Sequence, residues 1–107
     1  MPTFDQIALS LQRALVGEVL PSFRAICLHV SDEATAVTIT HKGMLPSEAI
    51  DDLDDAMAEV YEDFPELGGD GPPIIVGFDR RDAPSAIPAI GVPIFAIKGT
   101  QFLVQDG

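Results

Sequence analysis

The stretch SFRAICLHVSDEATAVTIT, residues 22–40, decides how this chain folds. Its period is two. Ile26, Leu28 and Val30 share one face and Ala25, Cys27 and His29 the other, as in a strand, where successive side chains point to opposite sides. SDEA reads as a turn, and TAVTIT resumes the alternation with Thr35, Val37 and Ile39. Pairing Ser31 with Ala34 across a tight turn sets Leu28 opposite Val37 and Ile26 opposite Ile39. The large apolar residues of both strands then face the same way, the condition a buried core imposes on register. The opposite face, with Ala25, Cys27, Thr38 and Thr40, is small and half polar, which suits an antiparallel sheet covered by helices on one side only.

The flanks supply those helices. Thr3 followed by Gln6 makes a capping box, and Phe4, Ile7, Leu11 and Leu15 recur at helical spacing. Gly17 can stop this helix, and Pro21 forbids its continuation. After HKGMLP, Ser47 is expected to cap a second helix whose buried stripe is Ile50, Leu53, Met57, Val60 and Phe64, ended by Pro65. ELGGDGPP is a loop by composition. IIVGF is predicted as a short buried strand, with Ile74, Val76 and Phe78 facing the core. Residues 79–93 hold three prolines and Gly91 and read as an irregular ordered crossing. IFAIK is a last strand, and QFLV an edge strand or a docked tail. The expectation is one α+β domain over residues 1–107, in the order α-β-β-α-β-β. Two helices pack on one face of a four-stranded, mainly antiparallel sheet.

Composition narrows the function. The 107 residues are 47% hydrophobic yet carry a formal net charge of −11. A disordered acidic tail would lack the apolar half, and binding to nucleic acid or to an anionic membrane would need a basic surface. The single cysteine, Cys27, allows no internal disulfide and suits a reducing cytoplasm. MPTFDQ has no basic leader, and no apolar run nears the roughly 18 residues of a membrane span.

The charge is concentrated. Nine of the seventeen acids fall between Pro46 and Glu66, where no Lys or Arg occurs. On a helical wheel Glu48, Asp51, Asp55, Glu59 and Glu62 group together, flanked by Asp52 and Asp63. The pairs Glu48/Asp52, Asp51/Asp55, Asp55/Glu59 and Glu59/Asp63 lie one turn apart. At roughly 0.2–0.5 kcal/mol each they oppose the helix by about 1–2 kcal/mol at low salt. Glu59, Glu62 and Asp63 are also unfavourable near the negative end of the helix dipole. A face that serves solubility alone tolerates interspersed lysines; their absence suits a docking surface for a cationic protein partner. Tyr61, at the margin of the stripe, is the apolar anchor that such an interface requires.

Chemistry is otherwise sparse. The carboxylates of DDLDD radiate around a helix and form no calcium loop, so no metal is expected. Cys27 and His29 share a face without an orienting acid, and His41 points to the other one, so no nucleophile–base pair is expected. LGGDGPP lacks the Lys-Ser/Thr and following helix of a phosphate loop. Arg80 and Arg81, between Asp79 and Asp82, read as local ion pairs. No catalytic residue and no cofactor are predicted.

ALVGEVLPSFRAI (14–26), DAPSAIPAIGVPIFAIK (82–98) and the helix end EVYEDFPE between them together resemble a group of small acidic bacterial proteins. Some of these look like immunity proteins of polymorphic toxin or contact-dependent inhibition systems. Pro93 and the single Lys98 depart from the more basic, aromatic ending usual there. The resemblance implies a non-enzymatic cytoplasmic inhibitor that blocks one cognate toxin domain. No binding residue is carried over from the resemblance; the charge argument alone assigns a basic, nuclease-like partner to Glu48, Asp51, Asp52, Asp55, Glu59, Tyr61, Glu62 and Asp63. The alternative is a homo-oligomer, a dimer at its simplest, joined through the small-residue sheet face or the QFLV edge, with acids that only solubilise it.

Overall fold

Helix α1 spans Phe4–Ala14 and begins as its capping box requires. Thr3 accepts from the Gln6 backbone N–H, while the Gln6 side chain accepts from the Thr3 N–H. Ile7 and Leu11 are almost wholly buried. The chain then turns through Gly17, at φ +84, into β1 (Phe23–Val30) and β2 (Thr35–His41). Their register pairs Leu28 with Val37 and Ile26 with Ile39, as the alternation predicts. The Ser31 N–H donates to the Ala34 carbonyl at 3.0 Å, and the Ser31 hydroxyl accepts from the Ala34 N–H, closing the turn. The computed structural model describes residues 2–82, 86–88, 91–96 and 102–103.

Helix α2 (Ser47–Asp63) connects β2 to β3 (Ile74–Arg80), and this connection changes the sheet. β3 lies parallel to β2, with Val37 beside Val76 and Ile39 beside Phe78, because a helical crossover returns the chain in its original direction. β5 (Val92–Ala96) pairs antiparallel to β1 on the other side. The strand order is β3-β2-β1-β5. The sheet is therefore mixed, which corrects the mainly antiparallel expectation, while the four strands and two helices stand. β3 is also an exposed edge rather than a buried strand. Ile74 and Val76 are half-buried against the core, but Phe78 is exposed, since nothing among the described residues covers its outer side.

Within the former crossing, β4 (Ile87–Pro88) pairs in parallel with β6 (Phe102–Leu103), a two-stranded ladder separate from the main sheet. Ile97 and Lys98 of the expected last strand, Gln101 and Val104 of QFLV, and residues 83–85 and 89–90 lie outside the described residues. Pro93 sits opposite Cys27 on edge strand β5, where a missing N–H is tolerated. Gly91 precedes it at φ +81, and a Cβ there would stand 2.5 Å from the Leu28 carbonyl oxygen. A side chain at that position has neither the conformation nor the space.

One core joins Ile7, Leu11 and Leu15 to Leu53, Met57 and Val60, and both to Ile26, Leu28, Val37 and Ile39. The reverse face of the hairpin is largely covered: Ala25 and Cys27 of β1 and Thr40 of β2 are buried too. Thr35 is a misfit. It is 1% exposed, and its hydroxyl has no hydrogen-bond partner among the described residues. A buried, unsatisfied hydroxyl costs roughly 1–3 kcal/mol. Thr35→Val keeps the shape, so thermal unfolding should show a gain of about 1 kcal/mol, a Tm rise of roughly 4–8 °C.

Candidate partner interface

What α2 shows to solvent depends on which residues it buries. It buries Ala49, Leu53, Ala56, Met57 and Val60, so the helix is turned towards its alanines relative to the predicted stripe. Ile50, expected in the core, is 40% exposed, and Phe64 is half-buried. Ser47 is not the cap. Pro46 occupies that position in extended conformation, without a side-chain hydrogen bond, which leaves the first-turn N–H groups without a side-chain acceptor.

The outward face is as acidic as its composition. Glu48, Asp51, Asp52, Asp55, Glu59 and Glu62 are all exposed and make no ion pair among the described residues. Asp54, absent from the predicted set, is exposed as well. Two predicted residues have internal ties. Asp63 accepts from the Ser10 hydroxyl at 2.6 Å and stands 3.8 Å from Arg13, so it fastens α2 to α1. Tyr61 accepts from the Ile74 N–H at 2.7 Å and donates to the Ile74 carbonyl. Its ring fills the space beside Gly68, where a Cβ would come within 2.8 Å. With the hydroxyl engaged, the half-buried ring is what Tyr61 offers a partner. Met44, 85% exposed before α2, and Ile50 near its start are the more open apolar groups. Ile50 was hidden from sequence reasoning because Ala49 and Ala56 carry the burial that its size had claimed.

Three of the chain's bases, Arg24, Arg80 and Arg81, are engaged away from this face. Arg24 sits at a bulge in β1 opposite the end of β2, and its guanidinium donates to the Arg81 carbonyl at 2.8 Å. Arg81 pairs with Asp79 at 2.6 Å and Arg80 with Asp82 at 3.3 Å. All of these gather where β1 begins and β3 ends. Asp82 also accepts from the Gly43 N–H at 2.8 Å. That N–H, then the Arg80 guanidinium, holds its carboxyl below the ordinary value. The His41 ring contacts the Gly43 carbonyl, so Gly43 ties the loop leading into α2 both to the end of β2 and, through Asp82, to the end of β3. Arg13 reaches α2 through Asp63.

The cysteine and the two histidines do not come together in one cluster. Cys27 is buried, His29 is exposed on its face, and His41 lies on the core side of the neighbouring strand. Among the described residues no group of three or more His, Cys, Asp or Glu could hold a metal ion. No helix among them is long and apolar enough to cross a membrane. An apolar groove of about 260 Å³, between the end of α1 and β5, is lined by Leu15, Val16, Ile94 and Phe95 among others, and among the described residues by no titratable side chain. A family model described as MafI2 immunity protein matches residues 5–76, from α1 through α2 into β3. No curated protein matches the chain.

Proposed function

Because this chain belongs to the MafI2 immunity protein family, we propose that it neutralises a cognate toxin domain by binding it, without catalysis, through the acidic face of α2. Family membership carries the toxin–immunity role and the protein partner. The observation that carries the choice of surface is the row Glu48, Asp51, Asp52, Asp55, Glu59 and Glu62, exposed and without an internal base among the described residues. Tyr61 and Asp63 complete the surface at its rim, anchored from behind by Ile74 and Ser10.

The partner such a face fits is cationic. A nuclease domain is the natural class, because its groove is built for phosphates spaced about as densely as these carboxylates. Filling that groove excludes the nucleic acid. The complex forms where the toxin would act on the producing cell, in the cytoplasm. A second copy of the chain fits less well, because two acidic faces repel and the small face of β1 is already buried.

The test is association of the purified chain with its cognate toxin domain, recovered by pull-down and inactivated, at low and at physiological salt. A tight complex whose association slows as salt rises is expected. No complex at either salt overturns the reading.

A further inference from the structure

We infer that the outer edge of β3 receives an extended basic segment of the toxin domain as an added strand, an inference that rests on the binding role proposed above. The parity of the edge follows from two bonds. In a parallel ladder the N–H and C=O of one residue point to the same neighbour, and successive residues alternate. The Pro73 carbonyl accepts from Thr35, and the Arg81 N–H donates to His41, so the odd-numbered residues of β3 face β2. The even-numbered residues therefore face outward. Ile74 is the first of them, and the Tyr61 hydroxyl bonds both its N–H and its carbonyl. Val76, Phe78 and Arg80 follow, and no strand pairs with their outward groups among the described residues. One end of the edge is plugged, and among the described residues the rest is an open template.

The surroundings choose the occupant. Ile50 and Asp54 lie one turn apart on α2, and Asp54 is two turns before Tyr61, the residue that reaches β3. By helical spacing Ile50 and Asp54 therefore fall on the same side of α2 as Tyr61, the side turned towards the β3 edge. On the opposite side of the strand Ile75 is 54% exposed. An incoming strand that alternates Lys or Arg with apolar residues would lay its long stems on Ile50 and Phe78 and bring its charges to Asp54 and Asp51. Its apolar residues would cover Ile75. A second copy of β3 offers the same edge with the same acids above it, so charge complementarity favours the basic segment.

Amide hydrogen exchange on the intact chain, free and with the purified inactivated toxin domain, reads this parity. In the free chain the Val76, Phe78 and Arg80 amides should exchange fast, and those of Ile75, Gly77 and Asp79 slowly. With the toxin domain at about 100 times its Kd, the three fast amides should slow by roughly 100-fold. Val76→Pro removes an outward N–H without touching the β2 ladder and should weaken the complex about tenfold. A complex that leaves the three amides fast overturns the added strand while the neutralising role stands. Protection that rises with the concentration of the chain alone assigns the edge to a second copy and overturns the basic segment. No complex at all sinks both.

Discussion

Reversing Asp51, Asp55 and Glu59 together to lysine should slow capture of the toxin domain by roughly 10–100-fold at low salt, with the dissociation rate changed much less. The three are exposed on the outward side of α2 and have no internal partner among the described residues, so their field is available to steer an approaching protein. Oppositely charged surfaces raise encounter rates by about 10–10³-fold, and rim charges act mainly on association. Each reversal adds two charges, taking the net charge from −11 to −5 and locally inverting the face. The fold should survive. Glu59→Lys places a cation one turn from Asp63 and near the negative helix end, both favourable. Stopped-flow association of variant and wild type checks the rate; unchanged kinetics at low salt would remove this face from the interface.

The second large effect is on stability. Leu28 is fully buried, and its strand register sets it against Val37 at the centre of the core. Leu28→Ala loses the transfer free energy and leaves a cavity, a cost of about 2–5 kcal/mol. Small domains unfold at roughly 5–15 kcal/mol in total, so the variant should melt roughly 10–30 °C lower. Its remaining folded fraction should bind with wild-type association kinetics, because no residue of the α2 face is touched. Thermal unfolding followed by circular dichroism measures the first effect and stopped flow the second.

The hairpin was legible because its information is local. A period of two, a short turn and one large-residue face leave one register that buries Ile26, Leu28, Val37 and Ile39 together. Capping of α1 was legible for the same reason. The parallel placement of β3 was not, since adjacency to β2 is decided by how α2 packs, which no local pattern in IIVGF encodes. The rotation of α2 was hidden by size. Ile50 outweighs Ala49 and Ala56 on any hydrophobic wheel, yet small residues let α2 lie close against the rest of the core. The acidic row was plain in composition. The tie from Ser10 and Arg13 to Asp63 was not, because it joins residues about fifty positions apart.

The most direct test of the electrostatic interface is the association rate of the wild-type chain with its toxin domain as ionic strength rises from about 0.01 to 0.15 M. Over that range the Debye length shrinks from about 30 to 8 Å. The acidic face of α2 predicts a rate that falls by at least about tenfold; a rate that stays flat would contradict it.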